Sequence, residues 1–110
     1  MSKKESQDAY LSKIPNFDGT NYAFWKVRME AYLMSLGVDV WSSVLVDYVV
    51  PDVPPTNAYG KKLYGNNDKD MNSIIFYLSQ YELLNIMHFR TAREVWVNLN
   101  KSHEGDDKIK

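Results

Sequence analysis

Apolar residues recur at helical spacing along most of this chain. Tyr22, Trp25, Met29, Tyr32, Leu33 and Leu36 form one stripe within residues 21–36. Steps of three and four place side chains on one face of an α-helix, so the spacing predicts a helix there. Gly37 follows as its stop, because Gly takes the left-handed backbone of a helix end without a Cβ clash. The same helix carries a second apolar strip of Phe24, Val27, Ala31 and Met34. Its few polar residues are Lys26 and Glu30, spaced i,i+4, with Arg28 and Ser35 nearly opposite them. A helix with two apolar faces is either central to the core or holds a partner on the second face.

The approach to this helix is Phe17-Asp18-Gly19-Thr20-Asn21-Tyr22. Asp18-Gly19 reads as a turn, and Thr20 or Asn21 as a helix cap acting through its side-chain oxygen. Phe17 is expected to reach back onto the helix. Residues 1–13 read as a flexible tail. Around their end, Tyr10, Leu11, Ile14 and Phe17 suggest an extended segment against the domain, with Pro15 barring a regular helix.

Beyond Gly37 a short helix is expected over 39–47, capped by Asp39, with Val40, Trp41, Val44 and Leu45 inward. Pro51, Pro54 and Pro55 then stop regular structure. Residues 48–66 read as a long connection holding Tyr48, Tyr59 and Tyr64 and punctuated by Gly60 and Gly65. Connections of that length are either functional or mobile. Asp68 opens the next predicted helix, with Met71, Ile74, Ile75 and Leu78 inward. The phase slips at Ser79, where Ser79 and Glu82 form a capping box and start a short helix burying Leu83, Ile86 and Met87. Thr91 and Glu94 form a second box. It opens a last helix with Val95, Trp96 and Leu99 inward and Gly105 as its stop. Strand-like alternation is confined to a weak signal at 46–50. The expected fold is all-α: a compact bundle of about five helices over residues 14–105, with the long connection between the second and third. Residues 106–110 form a charged end.

A chain of 110 residues with 45% hydrophobic content has material for the core of one domain and is too short for two. Thirteen basic and fourteen acidic side chains are spread evenly along it, so no basic arm exists to neutralise a run of phosphates. The absence of Cys excludes a disulfide scaffold, thiol catalysis and cysteine-bound zinc. No apolar run resembles a signal peptide or a membrane span. A soluble, cytoplasmic protein is the expectation.

Candidate chemistry is sparse. His88 and His103 are the only histidines, and neither has a second ligand at helical spacing. Asp68 and Asp70 read as first-turn residues that compensate a helix dipole. Glu82 and Glu94 are occupied by their capping boxes. Neither a nucleophile elbow nor a Gly-rich phosphate loop occurs. No catalytic residue, cofactor or metal is expected, and no small-molecule substrate. Trp25, Trp41 and Trp96 fall on apolar helix faces and read as core anchors, together with Phe17, Tyr22 and Leu99. Tyr59 and Tyr64 flank Lys61 and Lys62, the one place where aromatic and basic residues interleave. The candidate contact surface is therefore Phe24, Val27 and Met34, with Tyr59, Lys61, Lys62 and Tyr64.

Several of these residues together are similar to a known family. Phe17-Asp18-Gly19-Thr20-Asn21-Tyr22 with Trp25 resembles the opening of the Gag polyprotein of copia-type LTR retrotransposons, where Phe, Gly, Asn and Tyr precede a Trp three residues on. Val40-Trp41, Tyr48, Pro51 and the Ile74-to-Leu78 stretch follow in the same order. Thr91-Ala92-Arg93-Glu94-Val95-Trp96 with Leu99 resembles the family's Thr-Ala-Lys-Glu-x-Trp-x-x-Leu segment. The resemblance spans about residues 14–104. It implies a non-catalytic, helical capsid N-terminal domain that associates with itself into virus-like particles around RNA. It also allows a host-retained relative that holds a peptide or partner protein in an apolar groove, or that binds single-stranded RNA weakly. RNA is expected to be held mainly by regions outside this chain, which carries neither a second capsid lobe nor a zinc knuckle.

Overall fold

The computed structural model describes Ile14 and residues 16–109, with side chains described as far as Glu104. The predicted tail, with Tyr10 and Leu11, Pro15 and the side chains of the charged end lie outside the described residues. Among the described residues five helices form the bundle: α1 (Tyr22–Leu36), α2 (Val38–Leu45), α3 (Ala58–Phe76), α4 (Gln80–Ile86) and α5 (Ala92–Ile109). Among the described residues there is no strand. The weak alternation at 46–50 is irregular backbone, and an isolated bridge pairs Phe17 with Leu78. The expected all-α bundle of about five helices is what forms.

α1 follows its predicted stripe as far as Leu33. Tyr22, Trp25, Met29 and Leu33 are buried and Tyr32 half-buried, whereas Leu36, at the helix end, is exposed; α2 and α5 both pack against the helix. Its entry differs in detail from the prediction. Neither Thr20 nor Asn21 caps the helix with a side chain; Asn21 takes a left-handed backbone at φ 57° instead. Asp18 does the local work, accepting from the Thr20 N–H at 3.1 Å and the Thr20 hydroxyl at 2.7 Å. Those bonds hold its carboxyl below the ordinary carboxylate range, the hydroxyl contributing more than the N–H. Gly37 ends α1 and also begins α2, with Val40 and Trp41 N–H groups both donating to its carbonyl. Asp39 therefore sits in the first turn of α2, not at its cap. In α2, Val40 and Val44 are buried and Trp41 half-buried, whereas Leu45 is exposed, because the helix ends there.

The largest correction concerns the long connection. Irregular chain runs only from 46 to 57, and α3 begins at Ala58, ten residues before the predicted start at Asp68. Asn57 caps it, its side chain accepting from the Gly60 N–H at 2.6 Å. Two glycines and two asparagines weaken the local helix preference. The core-facing residues in the middle of α3 are also polar: Asn67 and Asp70 stand in line with Ile74 and are buried with it. Apolar periodicity cannot register such a stripe. Gly60 is tolerated because the chain folds back over it: a Cβ there would approach Pro55 Cβ to 2.8 Å.

α4 opens at Ser79, whose hydroxyl accepts from the Glu82 N–H. The box is only half made, since the Ser79 N–H donates to the Phe17 carbonyl instead. Ile86 is buried and Leu83 partly so, but Met87 projects outward past the helix end. The Thr91 box is complete: Glu94 Oε1 accepts from the Thr91 N–H, and Thr91 Oγ1 accepts from the Glu94 N–H, both at 3.2 Å. α5 buries Val95, Trp96 and Leu99 as predicted and then runs through Gly105, the predicted stop, to Ile109.

The predicted anchors meet in one cluster. Phe17 packs within 5.4 Å of both Tyr22 and Trp25, measured between ring centroids. Trp25 lies 6.0 Å from Trp96, which in turn meets Trp41 edge-on at 5.6 Å. Gly19 closes the approach at φ +100°, with Glu82 Oε2 only 3.2 Å from where a Cβ would stand. Truncating Phe17→Ala is expected to cost about 3–5 kcal/mol, and Gly19→Ala about 1–2 kcal/mol from its backbone alone. Urea unfolding of both variants checks this. Near-neutral values would show that the segment does not clamp the bundle.

Candidate functional site

The predicted contact surface divides into two places. On α1, Phe24, Val27 and Met34 are 45%, 65% and 47% exposed, and Ala31 between them is exposed too. Successive helix residues turn by about 100°, so this strip points away from the buried Trp25–Met29 face. Arg28 borders it on one side, its guanidinium 5.2 Å from the Phe24 ring centroid. Glu30 borders it on the other. Lys26 turns away to the end of α5 and pairs with Glu104 at 3.1 Å. The strip is solvent-facing surface and not core.

Tyr59, Lys61, Lys62 and Tyr64 lie on the first turns of α3 and not in a loop. Helical geometry pulls them apart. Tyr59 and Lys62 border a hollow of about 370 Å³ with Ser42, Ser43, Tyr48 and Leu63. Lys61 faces the α1–α2 junction, where it and Lys62 are joined by Lys69 around a second hollow of about 500 Å³. Tyr64 is half-buried beside Tyr48 and Asp68; burial, then Tyr64 and Asp68, raises the Tyr48 pKa. Lys62 is tied to Asp39 at 2.6 Å, and that bond raises the lysine pKa. The interleaved cluster of the sequence is thus spread over two neighbouring hollows that share Lys62. Lys69 escaped the sequence reading because the helix that aligns it with Lys61 was not seen to start so early.

Asp70 is the other residue whose role changes. It is fully buried in the middle of α3, facing α2, and is not a first-turn residue. Asp68, also mid-helix, is exposed. Desolvation pushes the Asp70 carboxyl up to about 7, against a smaller opposing effect of its bond to Ser43. Ser43 Oγ lies in hydrogen-bond contact with both the Val40 carbonyl and Asp70 Oδ2. One hydroxyl carries one proton and can donate once. If it donates to Val40, the remaining bond needs a proton on Asp70. Asp70 Oδ1 has no partner, a lesser cost on a neutral acid than on a carboxylate.

His103 falls inside α5 and not at its end, because the helix runs on past Gly105. It is half-buried within α5, 4.8 Å from the Phe17 ring and 3.0 Å from Glu82 Oε1. Glu82 is buried and spends its carboxylate here, not on its capping box. His88 is exposed beside Phe89. Among the described residues no group of three His, Cys, Asp or Glu is placed to hold a metal ion. No described helix is long and apolar enough to cross a membrane.

Asp70 carries a pH prediction. Below its ordinary value of 3.8 the acid is protonated in both folded and unfolded chains, so its burial carries no ionic penalty. From there to about 7 the unfolded chain ionises first, and stability falls as pH rises; above about 7 the loss is complete. Asp70→Asn keeps the shape and cannot ionise. It is expected to flatten that slope and to stabilise the fold above neutrality by about 1–3 kcal/mol, read from denaturation midpoints at about pH 5 and about pH 8. An unchanged slope would place the titration elsewhere.

No family model, curated protein or solved structure matches this chain.

Proposed function

We propose that this chain is a non-catalytic, Gag-like capsid N-terminal domain that acts by packing against copies of itself. One observation carries the proposal: Phe24, Val27, Ala31 and Met34 stand in solvent on the outer face of a helix whose inner face is the core. Apolar residues scattered singly over a surface are ordinary. A continuous strip along a helix is a contact surface waiting for a partner. The order of the sequence motifs, from Phe17 through Trp25 to Trp96 and Leu99, supports the copia-type Gag assignment. The all-α bundle is compatible with it. In this reading the aromatic anchors give the domain its rigidity and the exposed strip gives it its activity. Identical copies meeting through identical patches form closed symmetric assemblies, or rings when two different patches meet. A cytoplasmic particle containing RNA is the setting that follows, with the RNA held by other regions of the protein.

The Phe24→Asp, Met34→Asp double variant tests the proposal. Both side chains are outside the core, so the helical circular dichroism and the unfolding midpoint should remain near those of the parent, each site contributing within about 0.5 kcal/mol. Association measured by sedimentation across protein concentration should weaken at least about tenfold, equivalent to about 1.4 kcal/mol. A parent protein that stays monomeric up to its solubility limit would defeat the proposal.

A further inference from the structure

We propose that α1 pairs in parallel with α1 of a second copy of this chain, along a seam of Phe24, Val27, Ala31 and Met34. The inference rests on the self-association reading above and adds the surface, the partner and the orientation.

The spacing is the first ground. The four residues follow one another by steps of three, four and three, which is the a-d-a-d order of two heptads. A stripe that merely faces a globular core is wider and follows the 3.6 period; this one is narrow and lies opposite the core stripe. Other exposed apolar residues supply no such seam: Tyr81, Leu84 and Met87 advance by threes along a seven-residue helix and its cap, and Val46, Val49 and Val53 lie on irregular backbone. Two heptads would not hold free peptides together, because short helices are marginal on their own. Here α1 is already folded by its inner face, so pairing does not have to create the helix.

Charge supplies the partner and the direction. Arg28 and Glu30 stand on opposite shoulders of the seam, at the e and g positions of the heptad. In a parallel pair the e shoulder of one helix runs along the g shoulder of the other, so the Arg28 side of each copy lies against the Glu30 side of its partner, twice by symmetry. In an antiparallel pair like shoulders meet, and Arg28 opposes Arg28 while Glu30 opposes Glu30. Lys26 would confuse this pattern, but Glu104 holds it away. The small Ala31 lets the two backbones approach in the middle, with Phe24 and Met34 filling the ends.

The absence of Cys from the chain makes the test direct. Parallel pairing sets residue 27 opposite residue 27 of the partner, whereas antiparallel pairing sets it opposite residue 31. A disulfide needs Cβ atoms about 3.5–4.5 Å apart. Val27→Cys under mild oxidation should give a linked dimer at least about tenfold faster than the exposed control Ser102→Cys, because pairing raises the local thiol concentration. Non-reducing gels read the linked species, and circular dichroism confirms that each variant is folded. Faster linkage in a mixture of Val27→Cys and Ala31→Cys than in Val27→Cys alone would overturn the parallel pairing. If no variant exceeds the control while the parent still associates in sedimentation, copies meet through another face. That result sinks this inference and leaves the self-association reading standing. A strictly monomeric parent sinks both.

Discussion

The fold depends on one clasp, the attachment of Phe17 to the junction between α3 and α4. Its N–H donates to the Tyr77 carbonyl at 2.8 Å, and its carbonyl accepts from the Ser79 N–H at 2.9 Å. Its ring sits between Tyr22 and Trp25 from α1 and His103 from α5. Two backbone bonds fix the segment's direction, and the ring makes any displacement costly, since a buried aromatic carries a large share of core energy. The clasp also explains Ser79. Its N–H is taken by Phe17, so Glu82 is released from the capping box and turns to His103. One contact thus ties the entrance of α1, the break between α3 and α4, and the outer end of α5.

Against that frame, the two faces of α1 have different work. The inner stripe is held by aromatic packing and by polar ties near its N-terminal end: the Tyr22 hydroxyl donates to Asn100 Oδ1, and Lys26 meets Glu104. A helix fixed so firmly on one side presents its outer strip as a rigid surface. Rigid surfaces bind with little ordering cost, which suits a domain whose proposed activity is repeated contact with its own kind.

Much of this was legible in the sequence. Wherever burial is apolar, as along Tyr22–Leu33 and Val95–Leu99, periodicity located the helices and their inner faces. Both box sequences marked helix starts. What stayed hidden was polar burial. Asn67 is the plainest case: its Oδ1 accepts from the Ala92 N–H at 2.9 Å and its Nδ2 donates to the Arg90 carbonyl at 3.2 Å. An asparagine of α3 therefore serves backbone groups at the start of α5. Nothing local to residue 67 encodes that, and with Asp70 beside it the core stripe of α3 looks like a loop. The α1 strip was visible as apolar spacing. Its exposure was not, because no neighbouring motif says which of two apolar faces is covered.

The tie between Tyr22 and Asn100 spans 78 residues, and this bears on how the chain is made. α1 is made before α5, yet α5 is one of the helices that pack against it. Throughout that interval α2 lies beside α1 but Trp25 still lacks Trp96, so the inner face is only partly covered. Contacts this distant in sequence form late in folding, and apolar surface exposed meanwhile invites association through the wrong side. For a protein proposed to assemble, synthesis thus poses a problem of timing. Neighbouring nascent chains must be kept apart until α5 closes over Trp25, because only then does α1 offer its copies a single face.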